Sequence, residues 1–508
     1  MAYEDGAALL ERQSGGLSAE AITRQYLERI AALNDGEAIA LRAVIAVNPA
    51  AMDDARALDQ ARAGGQVLAL HGLPVLIKDN IETRELPTTA GSLALSANAP
   101  GRDAPLAARL REGGAIILGK ANLSEWANIR SAGSISGWSA VGGLVRNPHA
   151  LDRSACGSSS GSAVAVAAGL AWAAIGTETD GSIVCPAAVN GIVGFKPTVG
   201  LVSRTHIIPI SESQDTAGPM TRSVRDAALI LGVIAGSDPS DPATIEADAR
   251  REDYAALLDA GSLAGTRIGV VRFLTGYHAE TDATFEAALQ VLRDQGAILV
   301  EITTGPDRAA IGRAEFAVLL SELRTGLNAY LESTDPAQVP WRSLSDIIAF
   351  NRGEPRELAL FGQTYFEAAE RTSGPDDPDY LAALETSRRL AGEQGIDAML
   401  SEHDVVALIA PTTGPAWAID VIYGDRVAGS ASQLAAVAGY PHLTVPMGLA
   451  EGMPVGLSFF GAKWSDALIL SLGYAFEQAS GARVHPALAP SVEARPEVAR
   501  ALRPAGAH

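Results

Sequence analysis

Hydrophobic and polar positions along the chain predict helices and strands that follow one another in turn. From Ser18 to Asn34 the apolar residues recur at helical spacing with charges between them, and Ser18 is a suitable N-cap for that helix. The apolar run Val75–Ile77 predicts a short strand, Ala104–Gly113 a helix and Ala115–Leu118 a second strand. Because strands and helices alternate in this way, the sequence favours an α/β fold built on a mostly parallel or mixed sheet.

The second half of the chain continues this alternation but contains longer irregular segments. The segment PISESQDTAGPMTRSV at 209–224 has no clean period and is predicted to be loop-like, with a helix starting near its end. Residues 306–402 are predicted to be mostly helical and variable. The tail from residue 487 is rich in proline and is predicted to be a surface extension.

One stretch rich in glycine and serine, residues 156–197, contains most of the candidate chemistry. The small apolar run Ala163–Ile175 inside it has no charge and predicts a buried helix packed against the sheet. Serines that open such a helix are also ordinary N-caps, so the cluster by itself is not diagnostic. The four clustered serines are Ser158, Ser159, Ser160 and Ser162.

Ser182 lies in a polar turn between two apolar segments, directly after Asp180 and Gly181. Successive backbone N–H groups in a glycine-containing turn can point into one concavity and hold an anion. A serine hydroxyl beside such an oxyanion pocket has the arrangement that acyl transfer needs. A serine hydroxyl is a weak nucleophile, however, and it requires a base within hydrogen-bonding reach.

Lys78 is the candidate base, because it directly follows the predicted strand Val75–Ile77. The chain has only four lysines against thirty-five arginines, so a lysine at this position is not a generic choice of positive charge. Burial lowers the pKa of a lysine, which can then be neutral and accept a proton, whereas arginine stays charged. The alternative is a salt bridge between Lys78 and Asp79 or another carboxylate.

The composition supports a large, well-buried core and excludes some partners. Of the 508 residues, 47% are hydrophobic and 19% are charged, which argues against disorder. The formal net charge of −20 and the lack of a basic patch disfavour nucleic acid as a partner. No CxxC or HExxH pattern is present, so no metal or other cofactor is predicted.

The cysteines and the first residues bear on the compartment. Cys156 and Cys185 do not make a disulfide scaffold, and we interpret them as small buried thiols. The sequence as it stands shows no signal peptide, which predicts a cytoplasmic protein, or a periplasmic or secreted one if a leader has been removed. No apolar run is long enough to cross a bilayer, so no membrane partner is expected.

Several blocks of the sequence resemble the amidase signature family, and they cover most of the chain outside residues 245–400. The blocks are GLPVLIKDN at 72–80, GGAIILGKANLSEWA at 113–127, CGSSSGSAVAVAAG at 156–169, GTETDGSIVCPAAVNGIVGFKPTVGLVS at 176–203, QDTAGPMTRSVRDAA at 214–228, APTT at 410–413 and VAGYPHLTVPMG at 437–448. The segments NLSEWANIRSAGSISGWSA and GTETDGSIVCPA are most similar to bacterial peptide amidases, which remove the C-terminal carboxamide of peptides.

The resemblance implies a single compact amidase domain over residues 1–508. Its fold class would be α/β, with a large mixed, mostly parallel central sheet covered by helices on both faces. Within it, residues 65–235 would form the catalytic signature core, 306–402 a helical insertion and 487–508 a C-terminal extension.

The resemblance also implies a role for each site residue. Ser182 is the nucleophile, Lys78 the base, and Ser158 a bridging serine whose peptide bond to Gly157 is cis. Where many family members have a glycine, this chain has Ser160, a change that peptide-amidase-like members share. The remaining expected site residues are the backbone of Thr179, Asp180, Gly181 and Ser182 as the oxyanion hole, Asn128 and Ser131 in the substrate cleft, and Ser159 in support.

The implied activity is an amide hydrolase that releases ammonia from carboxamides through an acyl-enzyme, as a monomer or homodimer. Other family activities remain open: an aryl acylamidase, a small-amide amidase, or the amidase component of a tRNA-dependent amidotransferase. A serine esterase is a further alternative, because Gly157–Gly161 fits G-x-S-x-G with Ser159 at the elbow. That esterase would need a histidine base from among His206, His278, His403, His442 and His485.

Overall fold

The structure is a computed structural model that describes residues 2–37 and 39–502. Its strands are β1 (Val44–Val47), β2 (Pro74–Lys78), β3 (Ile116–Ala121), β4 (Trp138–Ser139), β5 (Gly143–Leu144), β6 (Ala173–Glu178), β7 (Val193–Lys196), β8 (Thr216–Thr221), β9 (Arg267–Val271), β10 (Ile298–Ile302), β11 (Ala407–Pro411), β12 (His442–Ala450) and β13 (Met453–Phe460). All except β4 and β5, which form a separate pair, belong to one sheet in the order β1-β3-β2-β6-β8-β7-β12-β13-β11-β9-β10.

Helices pack along this sheet and fill the connections between its strands. The α-helices are α1 (Gly6–Ser14), α2 (Ala19–Leu33), α3 (Ala51–Ala63), α4 (Pro105–Glu112), α5 (Ser160–Ala167), α6 (Val184–Val189), α7 (Val224–Ile234), α8 (Ala247–Arg250), α9 (Ala279–Asp294), α10 (Arg308–Glu332), α11 (Leu344–Gly353), α12 (Thr364–Ala369), α13 (Pro378–Ala391), α14 (Ala398–Glu402), α15 (Gln433–Ala438), α16 (Asp466–Ser480) and α17 (Pro496–Ala501). In the part of the chain that the structure describes, none of these helices has the length and apolar character needed to span a membrane.

The predicted mixed α/β sheet is confirmed, but parallel pairing does not dominate it. Four strand pairs in the described sheet are parallel, and they form two groups, β3-β2-β6 and β11-β9-β10. The other six pairs are antiparallel and lie mostly between these groups. The expectation of a mostly parallel sheet is therefore corrected, because β8 and the β12–β13 hairpin insert strands of opposite direction.

Strand β8 also corrects the interpretation of residues 209–224 as loop-like. Residues Thr216–Thr221 pair with β6 on one side and β7 on the other, and all six are buried. The segment contains Gly218 and Pro219, which usually interrupt strands. Here an added Cβ at Gly218 would lie 2.0 Å from the carbonyl oxygen of Phe195, so glycine is needed for the close approach of β7.

The sequence predicted one helix over Ala163–Ile175, but the structure divides this run between a helix and a strand. Helix α5 ends at Ala167, the chain turns through Gly169 with φ +67°, and β6 begins at Ala173. All of β6 is buried. A strand buried on both faces has a continuous apolar run without alternation, so its pattern cannot be separated from that of a buried helix.

Local signals predicted several other elements well. The side chain of Ser18 caps α2 by accepting a hydrogen bond from the Ala21 N–H at 3.0 Å. Residues 306–402, predicted to be mostly helical, contain α10 to α14. Within the predicted extension 487–508, α17 is followed by residues 503–508, which lie outside the described residues.

Cys156 and Cys185 form a disulfide, which corrects their interpretation as buried thiols. They are 29 residues apart in sequence, yet their Cα atoms are 6.1 Å apart. This distance falls in the normal range for a disulfide. The bond depends on how α6 folds back toward the serine cluster, which composition and cysteine count do not show.

Candidate active site

Lys78 lies at the end of β2, beside the parallel strand β6. Its Nζ donates hydrogen bonds to Ser158 Oγ at 2.8 Å, to Thr177 Oγ1 at 2.8 Å and to the Thr177 carbonyl oxygen at 3.2 Å. The alternative of a Lys78–Asp79 salt bridge is not what forms, since Asp79 pairs with Lys120 Nζ at 2.9 Å. Among the described residues, Lys78 has no carboxylate within ion-pair distance.

The environment of Lys78 favours its neutral form. The side chain is completely buried, and this desolvation lowers the pKa of Lys78 to about 7. The negative charges of Asp215 and Glu178 act in the opposite direction but do not cancel the effect. A lysine in this state can accept a proton at neutral pH, which an ordinary exposed lysine cannot.

Ser158 is also completely buried and follows a cis peptide bond from Gly157, as the resemblance implies. The Ser158 carbonyl oxygen accepts a hydrogen bond from the Ser124 N–H at 3.0 Å. Gly157 has no room for a side chain, because an added Cβ would lie 2.1 Å from Ser124 Oγ. The backbone therefore holds the Ser158 hydroxyl against the lysine.

Ser159 is buried and bonds to the backbone, so it is not the exposed serine of a nucleophile elbow. Its hydroxyl donates to the Thr177 carbonyl oxygen at 3.1 Å and accepts from the Thr177 N–H at 3.2 Å. The esterase alternative needs a histidine at this hydroxyl, but the described contacts of Ser159 include none. The fully buried His442, for example, bonds to Ser458 Oγ at 2.7 Å.

Ser182 is half-buried and follows Gly181, whose φ of +81° allows the sharp turn. The Ser159 N–H donates to the Ser182 carbonyl oxygen at 3.1 Å, which ties this turn to the serine cluster. The described hydrogen bonds assign no protein acceptor to the backbone N–H groups of the turn from Thr179 to Ser182. These N–H groups are therefore available to an anionic oxygen at this position.

Residues that the sequence interpretation did not assign hold this turn in place. Thr179 Oγ1 donates to Asp215 at 2.5 Å, and Gln214 donates from its side chain to the Thr179 carbonyl oxygen at 3.2 Å. On the other side, Glu178 accepts from the N–H groups of Ile183 and Val184 at 2.7 and 3.0 Å. The sequence contains the block QDTAGP at 214–219, but the sequence does not show that this block lies beside the turn. It lies there because β8 pairs with β6.

Two neighbouring carboxyl groups, those of Glu315 and Asp180, lie at the turn. Glu315 of α10 is almost fully buried and accepts hydrogen bonds from Gln214 at 3.1 Å and Gln433 at 3.4 Å. Burial, with the nearby charge of Asp180 adding to it, raises the pKa of Glu315 to about 8. This residue was not predicted, and it shows that residues 306–402 reach the edge of the site.

Asn128 and Ser131 take different positions in the loop after β3. Asn128 has φ +71° at the end of a left-handed run that begins at Trp126, and its side-chain nitrogen donates to Ser136 Oγ at 3.2 Å. Its Oδ1 is buried and has no partner among the described residues. Ser131 is instead buried against Thr364 at the start of α12, with 3.3 Å between the two hydroxyl oxygens.

A cavity of about 350 Å³ borders the same sheet edge. Its lining includes Asn80, Thr177 and Thr179 and the apolar segment 207–210. Helix α10 contributes Gly326 to the lining. Thr177 therefore contacts both this cavity and the amine of Lys78.

Known amidases are similar to this chain over most of its length. The Amidase family model matches residues 21–470. A probable amidase of Arabidopsis thaliana is 38% identical over 483 residues, covering 92% of this chain and 88% of that protein. A component of the glutamyl-tRNA(Gln) amidotransferase of Roseiflexus castenholzii is 38% identical over 477 residues, covering 91% of this chain and 93% of that protein.

A solved structure is still more similar. The native peptide amidase from Stenotrophomonas maltophilia is 51% identical and superposes with a TM-score of 0.91, covering 95% of this chain and 98% of that chain. The match of the family model over nearly the whole chain and this structural likeness lead to one conclusion. The chain belongs to the amidase signature family and is a hydrolase that acts on amides.

Proposed function

We propose that this amidase removes the C-terminal carboxamide of peptides as ammonia, with Ser182 as nucleophile and Ser158 and Lys78 as the proton relay. The observation that carries the chemistry is the 2.8 Å hydrogen bond between Lys78 Nζ and Ser158 Oγ, made by a lysine whose pKa lies near 7. The likeness to a peptide amidase supports the choice of substrate class.

The reaction begins with the proton relay. Neutral Lys78 accepts the proton of Ser158, and Ser158 accepts the proton of Ser182, so that Ser182 Oγ attacks the amide carbon. The carbonyl oxygen becomes an anion, which the free N–H groups of the turn from Thr179 to Ser182 stabilise. Loss of one such donor typically lowers turnover by about 10²–10³.

The intermediate then collapses and releases ammonia. The C–N bond breaks, and the relay returns a proton to the leaving nitrogen, which leaves an ester on Ser182. A water molecule gives its proton to the same relay and attacks the ester carbon. The peptide leaves with a free carboxyl group, and Ser182 regains its hydroxyl.

Asn128 is the residue that we assign to substrate binding. Its buried Oδ1 is an acceptor without a partner among the described residues, which is unfavourable unless a ligand supplies a donor. A peptide N–H group is such a donor. A peptide amidase of this fold has been crystallised with the competitive inhibitor chymostatin, which supports a cleft that accepts peptide-like molecules.

The test is ammonia release by the purified protein alone. An N-acylated dipeptide amide, a matched anilide and a short aliphatic amide are compared, and mass spectrometry confirms that the amide becomes the free acid. We expect turnover of the peptide amide and none with Ser182→Ala. Turnover of the anilide but not the peptide amide would overturn the substrate class while keeping the chemistry.

The site assignment needs its own measurement. A fluorophosphonate probe that reacts with activated serines is added, and the labelled peptide is sequenced. We expect the label on Ser182 only, and its loss in Lys78→Arg, since an arginine cannot accept the proton. A label on Ser158 or Ser159 would contradict the assignment. Activity that appears only with added partner proteins would favour the amidotransferase alternative.

A further inference from the structure

The disulfide joins the two segments that carry the proposed serines. Cys156 lies two residues before Ser158, and Cys185 lies three residues after Ser182. The chain contains only these two cysteines, so this is its only disulfide. The inference drawn from it rests on the function proposed above.

On the first side, Cys156 is held rigidly next to Ser158. Its backbone has φ +53°, its N–H donates to Ser154 Oγ at 3.1 Å, and its carbonyl oxygen accepts from Ser160 Oγ at 2.5 Å. The side chain is 4% exposed and packs with Val189 and Trp417. A displacement of Cys156 would therefore also move the next two residues, Gly157 and Ser158.

On the second side, Cys185 lies in the first turn of α6. Its N–H donates to the carbonyl oxygen of Gly181, the residue before the nucleophile, at 2.9 Å. Cys185 is only partly buried, so a small reagent can approach it from solvent. Cys185 is thus one of the residues that fix the turn that carries Ser182.

The other contacts between these segments are non-covalent: the apolar packing of Cys156 with Val189, and individual hydrogen bonds. Ser159 N–H donates to the Ser182 carbonyl oxygen at 3.1 Å, and the Asn190 side chain donates to the Ala155 carbonyl oxygen at 2.9 Å. Both hydrogen bonds are buried, but each is a single non-covalent contact whose net contribution to stability is modest. The disulfide is the one covalent link between the segments apart from the intervening backbone.

We propose that the Cys156–Cys185 disulfide is a positioning element of the active site, which holds the Ser182 turn against Ser158. A dithiol reductant opens it by two exchange steps. A thiolate of the reductant attacks Cys185 Sγ and releases the Cys156 thiolate. The second thiolate of the reductant then attacks the reductant's own sulfur in the mixed disulfide and releases the Cys185 thiolate. Two cysteine thiols form and the reductant becomes a cyclic disulfide. Turnover then falls, because Ser182 is no longer held at one distance from its relay.

The disulfide also indicates the redox environment in which the enzyme works. Structural disulfides persist in oxidising compartments and are rare in the reducing cytosol. The enzyme is therefore most active in an oxidising environment and slower in a reducing one. This links the redox state of the two cysteines to turnover.

The experiment uses the full chain purified in air. Alkylation of thiols in the denatured protein, before and after dithiothreitol, counts the free cysteines by mass. kcat and KM for a peptide amide are measured on both forms, together with the rate of fluorophosphonate labelling at Ser182. Circular dichroism at the assay temperature reports whether the reduced protein stays folded. The double variant Cys156→Ser/Cys185→Ser is the control for effects of the reductant itself.

We expect no free thiol before reduction and two after it. Reduction should lower kcat and the labelling rate at least tenfold with KM changed less than twofold, and reoxidation should restore both. The double variant should be slow and unaffected by dithiothreitol. If the disulfide only stabilised the fold, reduction would lower the melting temperature but leave kcat and the labelling rate of the folded protein unchanged.

Several results would overturn the proposal. These are two free thiols in the air-purified protein, a folded reduced enzyme that keeps kcat within twofold, and a loss of rate that only follows loss of the folded signal. Failure of the proposed function looks different. In that case neither form releases ammonia from peptide amides, while the labelling rate still reports whether the disulfide positions Ser182.

Discussion

Turnover of this amidase should rise about tenfold between pH 6 and pH 8 and then level off. Burial lowers the pKa of Lys78 to about 7, so the fraction of neutral lysine goes from about one-tenth at pH 6 to about nine-tenths at pH 8. A lysine with its ordinary pKa of about 10.4 would be less than about one-hundredth neutral at pH 8. Its rate would still be climbing at pH 9.

The lowered pKa of Lys78 also makes the stability of the folded protein depend on pH. In the unfolded chain Lys78 keeps its proton up to about pH 10.4, whereas in the folded protein it loses the proton near pH 7. Unfolding between these values therefore takes up a proton. Within that window this residue makes the folded state more stable as the pH rises, by about 1.4 kcal/mol per pH unit. The cost of burying the charged amine is greatest below pH 7.

The assay is kcat for ammonia release from a peptide amide, measured from pH 5.5 to 9.5 at constant ionic strength. Two variants separate Lys78 from its neighbours. Thr177→Val removes a hydroxyl that accepts from Lys78 Nζ at 2.8 Å, so the midpoint should move to lower pH, because that bond favours the charged amine. Glu315→Gln removes another group beside the turn that titrates in this range, with a pKa of about 8, and should leave the midpoint in place.

A flat profile from pH 6 to pH 9 would refute the reasoning, and so would a rise that continues to pH 10. A midpoint near 7 that moves with Glu315→Gln but not with Thr177→Val would assign the titration to the carboxyl group instead. Circular dichroism at each pH checks that folding is not the quantity being measured.

Three further changes test the site. Ser182→Ala should keep the fold by circular dichroism but lower kcat by about 10⁴ or more, and a smaller loss would assign the nucleophile elsewhere. Gly157→Ala places a Cβ 2.1 Å from Ser124 Oγ, so the free energy of unfolding should fall by about 1–3 kcal/mol in urea, whereas Gly232→Ala, with open space, should not destabilise. Asn128→Ala should lower kcat/KM for peptide amides about tenfold or more, and unchanged kinetics would exclude its substrate contact.

Several features of this protein were determined by the sequence itself. The capping serine and periodicity of α2, the strand that ends at Lys78, and the glycine turn before Ser182 are local patterns, each readable within a few residues. The resemblance of several separate blocks to one family also needs no coordinates, and the family is confirmed. The proposed roles of Lys78, Ser158 and Ser182 remain predictions.

Other features were decided only by the tertiary structure. Residues 173–178 form a strand rather than a helix because they are buried between two neighbours, β2 and β8, that are distant in the chain. The same pairing brings Thr177 to Lys78. The cysteines pair because folding brings their Cα atoms within 6.1 Å, across 29 residues. Local propensity cannot encode such distances, since strand pairing and burial depend on which distant segments meet.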